Sequence, residues 1–239
     1  PLVCASSQAV NDWFDRHVDA INEPHRPIPS GRMPGRWGLY IAIAWTALSL
    51  GVATTLGTWG FAAGAAGLLL AWAYSAPPLR LKQNGWWGNA ACGLCYEGLA
   101  WVTGGAVMPD GRTLALAALY SAGAHGIMTL NDFKAVEGDK RMGIASLPVQ
   151  LGVQGAARTA CLMMLAPQFV VVMLLIFWGA PMHAITVGAL MLLQALLMDY
   201  FLDKPVDRAL LYSGFGVPLF VAGMMVSAFA LRTLGQAAA

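Results

Sequence analysis

Seven apolar stretches dominate this sequence, at roughly 37–56, 59–78, 88–107, 113–131, 157–178, 183–201 and 209–231. Each is close to the roughly 20 residues that a helix needs to cross a bilayer. The runs are long and continuous rather than alternating, so they predict helices and not the strands of a barrel. Only 11% of residues are charged, against about 25% in a soluble domain. The expected class is therefore all-α: a polytopic transmembrane helix bundle embedded in a lipid bilayer, with residues 1–239 forming one membrane domain. A shorter apolar opening, 1–10, reads as the end of an eighth helix in a chain truncated at its N-terminus.

The few charges are unevenly placed. If loop 11–36 lies on one side, the predicted spans bring 79–87, 132–156 and 202–208 to that side too. Of the 14 lysines and arginines, only Arg112 and Arg232 then fall on the other side, leaving 14 − 2 = 12 on the first. Positive loops stay in the cytoplasm, so the long polar connections, and with them the functional site, are expected at the cytoplasmic face of the cell membrane.

Two acidic motifs occupy that face. Asn11-Asp-Trp-Phe-Asp-Arg-His-Val-Asp19 is echoed by Asn131-Asp-Phe-Lys-Ala-Val-Glu-Gly-Asp139, an offset of 131 − 11 = 120 residues. Two similar halves of a membrane protein often build one site. At 100° per residue, Asp12, Asp15 and Asp19 share one helical face, and so would Asp132 and Asp139. Glu137 would point away unless the helix ends early. The second copy has Ala135 where the first has Asp15.

Converging carboxylates repel one another, and a hard dication removes the repulsion. Mg²⁺ binds one or two carboxylates together with substrate phosphates. The pattern suits a diphosphate held through metal ions, with Asp12, Asp15, Asp19, Asp132, Asp139 and Glu137 as ligands and Asn11 and Asn131 beside them. Tyr74-Ser-Ala-Pro-Pro-Leu-Arg-Leu-Lys82 leaves a helix on the same side. Its prolines stop that helix, freeing Arg80 and Lys82 to reach phosphate oxygens. Arg26, Lys134, Lys140 and Arg141 are further candidates, although any of them also serves as an ordinary positive-inside charge.

Glu97 lies in the middle of an apolar run, whereas Asp199 stands near the end of its own, and an intramembrane acid is a functional candidate. His125 lies six residues before Asn131 and is a candidate for touching an acceptor. Cys92-Gly-Leu-Cys95 has redox spacing but no redox context. No phosphate-binding loop, dinucleotide motif or zinc motif occurs, and nothing indicates a nucleic-acid partner.

These motifs resemble those of the UbiA-type intramembrane prenyltransferase superfamily. The segments 11–32, 74–86 and 131–139 are similar to the chlorophyll and bacteriochlorophyll synthases within it. His17, Cys95-Tyr96-Glu97-Gly98 and His125-Gly-Ile-Met-Thr-Leu130 lean toward the bacteriochlorophyll branch. The resemblance implies a nine-helix bundle, of which the first helix and most of the second lie outside this chain. It implies Mg²⁺-dependent esterification of a chlorophyllide-type tetrapyrrole by geranylgeranyl or phytyl diphosphate. It also implies a photosynthetic membrane and pigment-protein assembly factors as partners. Other acceptors (a quinone precursor, haem) remain open at this point, as do a transporter and a pigment carrier.

Overall fold

The computed structural model describes residues 1–104 and 110–237. Every regular element among them is helical: α1 (Leu2–Asn22), α2 (Trp37–Ala53), α3 (Gly57–Ser75), α4 (Gly85–Gly93), α5 (Leu99–Gly104), α6 (Gly111–Asp132), α7 (Val136–Met142), α8 (Leu147–Phe177), α9 (Pro181–Asp203) and α10 (Pro205–Ala237). Five helical stretches are long and apolar enough to cross a membrane: Trp37–Ser75, Gly111–Asp132, Leu147–Phe177, Pro181–Asp203 and Pro205–Gly235. The first contains two expected spans. A 3₁₀ turn at Thr54–Leu56 and a left-handed Gly57 (φ 73°) reverse the chain between α2 and α3.

The expected span 88–107 is not one uniform helix. It runs as α4, a π turn at Leu94–Gly98, and α5, and its end, 105–107, lies outside the described residues. Gly93 precedes the π turn, Gly98 ends it, and both press on α6. A Cβ on Gly93 would stand 2.6 Å from the Ser121 carbonyl oxygen, and one on Gly98 would stand 2.5 Å from Ser121 Oγ. Glycine weakens the regular helix, and close approach to α6 fixes where it deforms.

The chain forms two compact units. The first holds α1, α2, α3 and α5, with α1 packed on both α2 and α3. Phe14 meets Trp72 edge-on at 6.1 Å, and Ser6 and Ser49 share a buried hydrogen bond of 2.9 Å. Gly38 lets α2 approach the 23–36 loop: a Cβ there would stand 2.6 Å from Ile28 Cδ1.

The second unit holds α4, the π turn and α6–α10. Its central contacts run from α6 to α8, from α8 to α9 and from α9 to α10. Lipid tails are as apolar as leucine, so association rests on close packing and small residues. Gly126 brings α6 onto α8, where a Cβ would lie 2.4 Å from the Ala160 carbonyl oxygen. Gly123 receives the Phe220 ring, which also meets Tyr120 edge-on at 5.4 Å. Meanwhile Leu162, Phe169, Phe177, Leu196 and Leu210 are exposed, as expected of side chains that face lipid.

Candidate active site

In the first unit, α1 is helical through the whole first acidic motif. That conformation brings Asp12, Asp15 and Asp19 to one face, as their spacing predicts. Each meets a cation. Arg26 Nη1 lies 3.4 Å from Asp12 Oδ1 and donates to Asp19 Oδ2 at 3.0 Å. Lys82 Nζ donates to Asp15 Oδ1 and, at 3.1 Å, to Asn11 Oδ1. Arg80 Nη2 stands 3.5 Å from the same Asp15 oxygen.

The segment after α3 supplies two of these cations. Ser75 Oγ donates to Asn11 Oδ1 at 3.1 Å, which ties the end of α3 to α1. Arg80 adopts φ 38°, a left-handed conformation that costs a non-glycine residue about 1 kcal/mol or more. Its backbone accepts that conformation at the point where its guanidinium meets Asp15. A cavity of about 100 Å³ opens beside the cluster, lined by Asp12, Asp19, Arg26, Ile28, Met33 and Ile41 among others.

Burial pushes the Asp19 carboxyl above the ordinary aspartate value. Arg26 opposes that shift, and Asp15 and Asp12 add to it. Burial likewise holds the Lys82 ammonium below its usual value, against the pull of Asp15. The cluster is charge-matched and part-buried, so water does not fully screen its groups.

The second acidic motif folds differently. α6 ends at Asp132, residues 133–135 turn, and α7 begins at Val136. The expectation that Asp132 and Asp139 share one helical face is therefore corrected, and Gly138 sits inside α7 rather than ending a helix. Phe133, buried to 1% exposure and edge-on to Phe201 at 5.5 Å, drives the break by anchoring in the core of the unit. The Asp139 carboxylate remains close enough to repel that of Asp132. Glu137 is exposed and faces Lys140 at 3.8 Å. Asn131, Lys134 and Arg141 are exposed too.

Asn89, which sequence reasoning missed, is the buried partner of Asp132. Its Nδ2 donates to Asp132 Oδ2 at 3.4 Å and to Thr129 Oγ1 at 3.2 Å. An amide inside an otherwise apolar run is the signal that marks it. Further along α6, His125 is buried and its Nε2 lies 3.2 Å from the Trp86 carbonyl oxygen. Glu97 is half-buried in the π turn. No group of three or more histidine, cysteine, aspartate or glutamate side chains among the described residues is close enough to share one ion.

Comparison with known proteins agrees with the fold and the motifs. The model of the UbiA prenyltransferase family matches residues 2–224. The 33 kDa chain of bacteriochlorophyll synthase from Cereibacter sphaeroides is 56% identical over 238 residues, covering 98% of this chain and 79% of that one. A structure solved for digeranylgeranylglyceryl phosphate synthase aligns with TM-score 0.76 at 21% identity, covering 97% of this chain and 82% of that chain. A UbiA homologue from Archaeoglobus fulgidus, solved with DMAPP and Mg²⁺ bound, aligns with TM-score 0.62 at 18% identity over 98% and 84% of the two chains. The family match spans nearly the whole sequence and the fold follows it, so this membrane protein is an enzyme that belongs to the UbiA prenyltransferase family.

Proposed function

We propose that this chain transfers a geranylgeranyl or phytyl group from its diphosphate to the propionate carboxylate of bacteriochlorophyllide, at the cytoplasmic face of the membrane. The observation that carries the reading is the charge-matched face of α1, where Asp12, Asp15 and Asp19 meet Arg26, Arg80 and Lys82. The likeness to bacteriochlorophyll synthase supports this acceptor over a quinone precursor or haem.

The carboxylate oxygens of Asp12, Asp15, Asp19, Asp132 and Asp139 are hard donors of the kind that suits Mg²⁺. That ion takes one or two carboxylates beside phosphate and water. When bound, the metal supplies positive charge that stabilises diphosphate as a leaving group. Arg26, Arg80 and Lys82 exchange carboxylate for phosphate oxygens and hold the donor. The acceptor carboxylate oxygen bonds to the allylic carbon, the carbon–oxygen bond to diphosphate breaks, and diphosphate departs with the electron pair. A propionate with a pKa near that of glutamate, about 4.3, is already ionised at neutral pH. No general base is required. Excluding water protects the electron-poor prenyl carbon from hydrolysis.

Membranes carrying the protein, given bacteriochlorophyllide, geranylgeranyl diphosphate and Mg²⁺, are expected to yield an esterified pigment on chromatography, and chelator is expected to abolish it. Asp12→Asn and Asp132→Asn are each expected to lower turnover by about 10²–10³-fold while the protein still inserts. Wild-type turnover in both variants would overturn the site. Ester formation on a phenolic or haem acceptor alone would overturn the acceptor.

A further inference from the structure

One face of α6 carries more than Asp132. His125, Thr129 and Asp132 follow at i, i+4 and i+7, within about 60° of one another around the helix. They form a connected chain: Thr129 Oγ1 donates to the His125 carbonyl oxygen at 3.0 Å, and Asn89 donates to both Thr129 and Asp132. His125 is 5% exposed. A carbonyl oxygen only accepts, so the 3.2 Å contact with the Trp86 carbonyl places the imidazole proton on Nε2. The lone pair is then on Nδ1, and Nδ1 is buried with no hydrogen-bond partner among the described residues. A buried polar atom left unpaired costs about 1–3 kcal/mol, so this atom calls for an explanation.

Metal-binding histidines have this arrangement: one ring nitrogen donates to a backbone carbonyl, which fixes the tautomer and turns the other nitrogen into the ligand. We infer that His125 Nδ1 is the axial ligand to the central magnesium of the tetrapyrrole acceptor. The inference rests on the reading that the acceptor is a magnesium tetrapyrrole. The spacing supports it. Seven residues along α6 separate His125 from Asp132, about 10 Å of rise. A ring radius plus a propionate arm covers a distance of the same order, so a macrocycle ligated at His125 delivers its carboxylate to the Asp132 end of the same helix face. The acceptor is then positioned by its metal, and its reacting group is left untouched by protein cations.

Nδ1 is buried here, so the macrocycle reaches it as the wall yields. Two neighbours are suited to that movement. The Trp86 indole, 5.5 Å from the imidazole, is 38% exposed. The π turn at Leu94–Gly98 packs on α6 through Gly98 and Ser121, one turn before His125, and such turns are frequent at functional sites.

The test is a binding titration without prenyl donor on the whole chain in lipid nanodiscs. It compares bacteriochlorophyllide with the same ring lacking magnesium. Visible absorption and resonance Raman bands report the magnesium coordination number. The wild type is expected to bind the magnesium ring at least about tenfold more tightly and to show an axial ligand. His125→Phe is expected to lose that preference. In His125→Gly, added imidazole is expected to restore the axial-ligand signature. Equal affinity of the wild type for both rings overturns the inference without needing any variant to fold. So does a preference that survives in both variants. Ester formation by the wild type despite equal affinities removes the ligand and keeps the function. A wild type that neither binds the magnesium ring nor esterifies it removes both.

Discussion

Asp19 sits where a carboxylate is costly, covered to 11% side-chain exposure and beside two other acids. Its carboxyl is held above the ordinary value, so the folded chain binds a proton there more readily than the unfolded chain. Its contribution to stability is therefore fully present below the unfolded value of 3.8 and is lost as pH rises through the raised folded value. Asp19→Asn is expected to raise stability at neutral pH by a small amount, below about 1 kcal/mol, while lowering esterification. Calorimetry beside turnover checks both, and a variant that is less stable and fully active would contradict the assignment. Lys82→Met is expected to act the other way on stability. It leaves Asp15 and Asn11 without their half-buried donor, at about 2–3 kcal/mol, less than for a fully buried pair because Arg80 remains. The first acidic motif was legible because three acids at helical spacing can be placed without knowing anything else. The cations that face them were legible only as a group, since nothing in the sequence pairs Lys82 with Asp15 or Arg26 with Asp19. Asn89 was not legible because its role arises from a contact with α6, forty-three residues further on.

Periodicity fixed where most helices lie but not where they deform. α6 ends at Asp132 because Phe133 is drawn into the core, and a pattern of acids gives no sign of that burial. The π turn and the kink at Gly152 within α8 (φ 72°, ψ 161°) are similarly matters of packing and backbone freedom. The start of α6 is fixed by a local cap. Asp110 accepts from the Thr113 backbone N–H at 2.8 Å and from its hydroxyl at 2.7 Å. Those bonds hold the Asp110 carboxyl below its usual range. The cap's stabilisation is present above the unfolded value of 3.8 and fades as pH falls through the lowered folded value. Asp110→Ala is expected to cost about 1 kcal/mol at neutral pH, with the deficit shrinking in acid, as a thermal midpoint measured across pH would show. Gly126→Leu is expected to cost about 1–3 kcal/mol or more, because its side chain would enter the Ala160 carbonyl and the Met164 side chain. An unchanged midpoint would mean that α6 and α8 are less closely packed than described.

At the scale of the whole molecule, the charge asymmetry of the sequence is its most economical statement about orientation. Cysteines placed at Gly143 and Gly179, at opposite ends of α8 in a background without reactive thiols, are expected to react with a membrane-impermeant reagent from opposite sides, Gly143 from the cytoplasmic one. Labelling of both from one side would reject the topology. Family membership was legible because the motifs sit in contiguous stretches of sequence. The acceptor was less so, because contacts that select an acceptor come from side chains scattered along the sequence rather than from one contiguous motif.

The cations on α1 have one more consequence. Asp12, Asp15 and Asp19 already hold positive partners, so a prenyl diphosphate arriving with its metal ions does not fill an electrically bare site. On the proposed reading, binding would be an exchange of partners: metal would take the place of the cations on the carboxylates, and phosphate the place of the carboxylates on the cations. The net charge of the assembly changes little in such a swap. Affinity for the metal-loaded donor is then expected to fall only gently with added salt, whereas affinity for the same diphosphate without metal falls steeply.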